Sequence, residues 1–213
     1  MVKLSKTSKM PCLSWSLPAL DTCPASIGSN KELVDACKGC YATTGFYTFG
    51  PAKMLREFNK QDWKRDDWVD DMVSALSNSR YFRWFDSGDI YQLRLAKKIL
   101  EVVQQTPWVK HWLPTRMYKF DKFKEVLNEL GRLDNCVVRF SSDSISGGHV
   151  SGHNTSTIIA SANVKDRGYV CNAYERAGKC GDCRACWDKN EAVIAYPMHG
   201  RKGLKLIKMQ EVA

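Results

Sequence analysis

The sequence contains no apolar run approaching the roughly 20 residues that a membrane-spanning helix needs. That argues against a helical membrane protein. Its opening residues, Met1-Val2-Lys3-Leu4-Ser5-Lys6, lack the apolar stretch of a secretory signal. A cytosolic protein is expected, in a compartment where disulfides are uncommon. There is no internal repeat and no low-complexity segment, so a repeat architecture is not indicated. Acidic residues are in the minority: 23 Asp and Glu against 32 Lys and Arg leave a formal net charge of +9. The excess suits a polyanionic partner, above all nucleic acid. A merely soluble basic protein is the plain alternative.

What the chain does contain is cysteine, nine in 213 residues. In a cytosolic protein these call for metal binding before disulfides. Eight of the nine fall outside residues 41–170, at the two ends of the sequence. With 44% hydrophobic residues the chain can bury a sizeable core. It reads as a single domain over residues 1–213, with a Cys-containing segment at 1–50, a βα core at 51–165 and a Cys-cluster segment at 166–213.

The core follows a regular order. Leu13, Trp15 and Leu17 alternate, and a short strand is expected there, at an edge or ended by Pro18. Residues 51–79 carry helical spacing, with Leu55 and Phe58 leading into Trp68, Val69, Met72, Val73 and Leu76. A strand is predicted at 81–86 and a helix at 91–105, stopped by Thr106-Pro107. A second strand is predicted from Trp108 to Leu113. A helix at 120–130 stopped by Gly131 and a strand from Cys136 to Phe140 complete the unit. Strand, helix, strand, helix, strand with short connections describes a parallel βαβαβ unit. The fold class is therefore α/β, a reduced or partial (β/α) barrel with parallel strands and Cys-rich metal-binding segments at both ends. Short strands are also expected around Ile158-Ile159-Ala160 and over 192–196.

Parallel strands place their C-terminal ends on one edge, where α/β folds build active sites. Here those ends are polar: Asp86-Ser87-Gly88-Asp89, Thr115-Arg116 and Ser141-Ser142-Asp143. Asp86, Asp89 and Asp143 are the catalytic candidates. Ser87, Gly88, Arg83, Arg116, Ser141 and Ser142 are the substrate-binding candidates. Asp-Ser-Gly-Asp is also ordinary turn chemistry, and Asp89 could cap the next helix. His149 and His153, on a Gly/Ser loop, are ligand or phosphate candidates, or simply solvated.

Cys37-x2-Cys40 has the spacing at which two sulfurs turn toward one ion, with Gly39 relieving the backbone between them. Cys23 is a natural third ligand and Cys12 a candidate fourth. Buried thiols or a redox pair are the alternatives. Cys180-x2-Cys183-x2-Cys186 with Cys171 upstream supplies four thiolates. Three cysteines so spaced cannot all face inward on one helix or strand. Four thiolates suit structural zinc, and the spacing also occurs in iron–sulfur ligation. His199 could replace Cys171. The basic, Gly-punctuated segment from His199 to Lys208 suits phosphate contact.

The order of these motifs resembles the phage gene product eighty-eight family: Leu17-Pro18, Cys23-Pro24, Cys37-x2-Cys40-Tyr41-Ala42, then Ser87-Gly88-Asp89 after a strand, then Cys180-x2-Cys183-x2-Cys186-Trp187. The resemblance spans nearly the whole chain. It implies a phage protein working in the cytoplasm of an infected host cell. Phe85-Asp86-Ser87-Gly88 is also similar to the Asp-Ser-Gly-Gly segment of tRNA-guanine transglycosylases and their DNA-modifying phage relatives. Asp89 stands in place of the second Gly, the chain is shorter, and the cysteine spacing differs. That likeness implies a base exchange inserting a 7-deazaguanine into DNA. One aspartate attacks the sugar, a second manages protons, and zinc is structural. Trp84, Trp112 and Tyr118 are candidates to stack on the base. A three-cysteine segment ahead of a partial barrel resembles radical-SAM architecture instead, which implies iron–sulfur clusters. A zinc-stapled protein that binds nucleic acid without catalysis is the third reading. The partners expected are DNA and a modified-base small molecule, with no membrane.

Overall fold

A computed structural model describes residues 1–160 and 168–198. Its centre is one eight-stranded sheet: β1 (Ser5–Lys6), β2 (Leu13–Trp15), β3 (Tyr81–Trp84), β4 (Lys110–Thr115), β5 (Cys136–Ser141), β6 (Thr155–Ile159), β7 (Tyr169–Val170) and β8 (Val193–Pro197). The strand order is β1-β2-β3-β4-β5-β6-β8-β7. Only β1 with β2 is antiparallel; every other pair is parallel. The sheet is open rather than a closed barrel. The helices are α1 (Asp35–Lys38), α2 (Gly50–Asp62), α3 (Trp68–Ala75), α4 (Leu93–Gln105) and α5 (Lys124–Arg132). No helix among the described residues is long and apolar enough to cross a membrane.

The predicted βαβαβ unit is present as β3-α4-β4-α5-β5. The helical stretch expected at 51–79 divides into α2 and α3, and the strand expected from Trp108 starts two residues later, at Lys110. The N-terminal strand does not lie at the edge. β2 is sandwiched between β1 and β3 and runs parallel to β3, so it is the first parallel strand of the sheet.

Alternation along the strands sends side chains to two faces. Phe82, Trp84, Leu113 and Val138 join α3, α4 and α5 in one core, anchored by edge-to-face contacts of Trp15 with Trp68 and Trp84, which tilt against each other. Tyr81 and Trp112 pack in a second cluster with Met10, Cys12, Cys180, Cys186, Trp187 and Tyr196. The C-terminal Cys-rich segment therefore covers the sheet face that the helices leave open. Buried Arg139 holds it there, donating to the carbonyls of Ala185, Cys186, Asp188 and Glu191.

Candidate functional site

The sharpest local feature is the end of β3. Phe85 has φ of 55°, a left-handed conformation that a bulky residue rarely adopts. Such strain collects where a fold must aim a side chain. Three residues later Gly88 has φ of 77°. A Cβ there would sit 2.6 Å from both Leu17 Cβ and Thr22 Oγ1, so only glycine lets these two segments meet. The Asp86–Asp89 turn is thus pressed against the loop that follows β2.

That loop carries Cys23, Cys37 and Cys40, and three hydrogen bonds fasten it to the strand ends. The Asp89 amide donates to the Thr22 carbonyl at 3.1 Å, and the Ala36 amide to the Asp143 carbonyl at 2.9 Å. The Tyr41 hydroxyl donates to the Asp86 carbonyl at 2.6 Å. Each cysteine therefore has an immediate neighbour tied to one of the three candidate aspartates. The thiols lie close enough to one another for their charges to interact, and Asp89 acts on Cys23 in the same way. Burial pushes the Cys23 thiol up to about 12. Burial also raises Cys37, against the pull of Arg116 and Lys119.

The three aspartates are not equivalent. Asp89 is fully engaged: its Oδ1 accepts from the Thr115 hydroxyl at 2.6 Å and the Ile90 amide at 2.7 Å, and its Oδ2 from the Arg116 amide at 2.8 Å. Burial nevertheless raises its carboxyl above the usual range. Asp143 is partly exposed and paired with Arg116 and Lys119. Asp86 is 3% exposed, yet among the described residues its Oδ1 has no hydrogen-bond partner. Its Oδ2 lies 3.5 Å from the Tyr47 hydroxyl and 4.0 Å from Arg56. Asp86 is the carboxylate left with acceptor capacity.

Ser87 is structural: it accepts from Arg56 at 2.6 Å and donates to the Leu17 carbonyl at 2.8 Å. Arg116 spans the strand ends, its guanidinium on Asp143 and the Ser142 carbonyl. Ser141 and Ser142 lie beside it, the Ser141 carbonyl accepting from Tyr118. Arg83 points away from the helices. It stacks on Trp112 at 4.4 Å and reaches Tyr41 at 3.4 Å. Trp84 is buried among core aromatics and cannot stack on a substrate. Tyr118 already stacks on Phe140. His153 packs on Phe140 as well, at the end of β5, and His149 is exposed. Sequence reasoning missed Tyr47 and Arg56. The signal for Arg56 was a polar stripe, Arg56-Asn59-Trp63 at helical spacing, which is the face that α2 buries.

The cysteines form two groups, and their membership differs from expectation in one respect. Cys12 does not join Cys23, Cys37 and Cys40. It packs against Cys180 and Cys186, because the strand order carries the start of β2 to the sheet face that the C-terminal segment covers. Among the described residues no three His, Cys, Asp or Glu side chains close to the spacing of a single bound metal ion. The metal-binding segments expected at both ends stand as thiol groups with that looser spacing. His199 and the basic segment after it lie outside the described residues. A shallow cavity of about 330 Å³, lined by Tyr81, Lys110, Arg184 and Lys189, opens at the opposite edge of the sheet and takes no part in this site.

A family model described as gene product 88 matches residues 2–189. The chain belongs to the gene product 88 family. The match runs from β1 through all eight terminal cysteines, so both thiol groups and the Asp86–Asp89 turn fall within the family's boundaries. The phage kinship read from the motifs holds at the level of that family, and the resemblance to tRNA-guanine transglycosylases finds no support. No curated protein and no solved structure matches the chain.

Proposed function

We propose that this gene product 88 family member is an iron–sulfur enzyme. Cys23, Cys37 and Cys40 would hold the cluster at the C-terminal edge of the parallel strands. One observation carries the reading. The loop after the first parallel strand brings three soft donors to the strand ends, and Thr22, Ala36 and Tyr41 tie it to Asp89, Asp143 and Asp86. The donor set fits the group: buried thiols must lose protons to bind, and thiolates select iron–sulfur clusters or zinc.

When bound, a cluster with three protein thiolates supplies redox chemistry and an iron open to an outside ligand. The chain's own residues supply the rest. Asp86 presents an unused acceptor to a substrate donor, with Tyr47 and Arg56 steadying its other oxygen. Asp89 fixes the turn and orients Arg116 through its amide, and Arg116 offers positive charge to an anionic substrate. The net charge of +9 suits a nucleic-acid substrate.

The test is the iron, the inorganic sulfide and the visible spectrum of protein purified without oxygen. Iron and sulfide in cluster stoichiometry, with one cluster per chain lost in the C23S/C37S/C40S variant, support the proposal. A wild-type protein without iron sinks it. In that case base exchange on DNA, with Asp86 as the nucleophile, becomes the better reading. What favours that second reading is the same free and buried Asp86 oxygen, and it is assayed by incorporation of a labelled 7-deazaguanine base into DNA.

A further inference from the structure

The second thiol group lies on the other face of the sheet. Five cysteines come to it from both ends of the chain, at a spacing looser than that of a bound ion. Cys12 precedes β2, Cys171 follows β7, and Cys180, Cys183 and Cys186 occupy the turns before β8. Their charges reach one another: Cys180 and Cys186 act on Cys12, Cys171 acts on Cys180 and Cys186, and Cys183 acts on Cys180. Two backbone bonds fix the loops that bear them. The Cys180 amide donates to the Lys9 carbonyl and the Cys171 amide to the Ala195 carbonyl, each at 2.8 Å. Two hydroxyls lie against the sulfurs, Tyr169 at 3.1 Å from Cys183 and Tyr196 at 3.2 Å from Cys186.

The surroundings are rich in cations that make no direct ion pair. Lys9, Arg83, Arg139, Arg176 and Arg184 all act on these thiols. Among the described residues none of the five makes a salt bridge. Instead Lys9 rests on the Tyr174 ring, Arg184 on Tyr81 and Arg83 on Trp112. Arg139 is wholly buried and donates to four carbonyls, while among the described residues the buried Nε–H of Arg83 has no partner. Asp86 acts on Arg83, and Asp188 and Glu191 on Arg139, only from a distance. A buried guanidinium without a counter-charge is costly. Five neutral thiols do not supply one. Four thiolates on a divalent ion do, because the assembly carries a net charge of about −2.

We infer that Cys12, together with Cys171, Cys180, Cys183 and Cys186, forms a pocket for a thiolate-bound metal centre of net negative charge, with the Arg83 and Arg139 guanidinium groups as its counter-ions. The centre ties residues 9–12 to the C-terminal segment across the face of the sheet. All five sulfurs sit on turns, strand-flanking backbone or one short 3-10 segment, so they can close on a metal without breaking a regular element. The chemistry is that of a thiophilic metal, and zinc and an iron–sulfur cluster share it. This pocket does not depend on what Cys23, Cys37 and Cys40 hold.

The test uses the full chain purified without oxygen. In the C23S/C37S/C40S variant the pocket is the remaining thiol group, so zinc, iron and sulfide are counted there. Close to one centre per chain is expected, as zinc or as matched iron and sulfide, and C180S/C186S added to that variant abolishes it. Metal below a tenth of a centre per chain, in a variant with wild-type circular dichroism, overturns the inference. Wild-type protein gives a second readout that needs no variant. Iodoacetamide labelling of Cys12, mapped by mass spectrometry, is expected to accelerate more than about tenfold once a chelator strips the metal, in step with Cys180 and Cys186. Equal labelling of Cys12 with and without chelator overturns its place in the pocket.

Discussion

His111 should make the protein acid-sensitive by an amount that can be worked out from its surroundings. It lies in β4, wholly buried, under the Trp84 indole. Nδ1 accepts from the Trp84 indole N–H at 3.2 Å. Nε2 lies 2.9 Å from the Thr106 hydroxyl, which spends its own proton on the Val102 carbonyl at 2.7 Å. The ring is therefore neutral, with Nε2 carrying the hydrogen, and a second proton would have to face the indole N–H. Burial pulls its pKa down from 6.5 to about 3. The unfolded chain takes up the proton below its own value, while the native chain does not until about 3. Stability is thus intact above pH 6.5 and is lost as pH falls through that window. The loss is about 2 kcal/mol at pH 5 and about 4 kcal/mol at pH 3. Against a typical total of about 5–15 kcal/mol this is a large share. His111→Gln keeps an acceptor for Trp84 and a donor for Thr106 but cannot titrate. Urea unfolding followed by tryptophan fluorescence at pH 7 and pH 5 should show wild type losing about 2 kcal/mol more than the variant. Losses equal to within about 0.5 kcal/mol would refute the reasoning, because the other titrating groups are common to both proteins.

Gly88→Ala should destabilise by about 1–3 kcal/mol in the same urea assay, since its Cβ meets Leu17 and Thr22 at 2.6 Å with a positive φ. Asp89→Asn should cost about 1–3 kcal/mol, because an amide cannot accept at every point where Thr115, Ile90 and Arg116 donate. The wild-type Asp89 carboxyl adds a slope of opposite sign to that of His111. Its pKa is raised on folding, so the stability it contributes is present below the ordinary Asp value and fades as pH climbs through the raised one. Asp86→Asn should leave stability within about 1 kcal/mol while removing activity, read as midpoint against turnover once a substrate is in hand. An Asp86→Asn protein with wild-type turnover would remove Asp86 from the site.

The βαβαβ unit was legible because its periodicities are strong, and the polar strand ends followed from it. The N-terminal reading failed where pairing is non-local: nothing in Leu13-Ser14-Trp15 says that its neighbour is Phe82-Arg83-Trp84 some 70 positions away. Hence neither the inner place of β2 nor the company Cys12 keeps could be read. Likewise β8 inserts between β6 and β7, which local signals do not encode. The strand expected to end at Leu113 runs on through Pro114 to Thr115. The reason is register. Lys110 and His111 send their amides to opposite sides, so position 114 faces β3, whose pairing has already ended at Trp112. A missing N–H costs nothing there. The Leu55 and Phe58 spacing in α2 misled for another reason: Arg56 and Asn59 are the residues buried there, because they bind Ser87 and the Ser16 carbonyl, a use of polar residues that a hydrophobic pattern does not register.

Asp86 and Asp89 stand three positions apart on one turn, and the fold treats them in opposite ways. All three donors within reach of Asp89 are spent on it, and the turn is held by the result. Asp86, equally buried, is left an oxygen without a donor and is preceded by a residue in a strained conformation. Both features work against stability, by about 1–3 kcal/mol each. A fold that needed only a turn would satisfy the first carboxylate as it satisfies the second. It would also have no cause to anchor three cysteine-bearing segments on the same strand ends. The cost falls on a carboxylate oxygen beside the cysteine loop's anchor points, and a donor on a bound substrate is what would offset it.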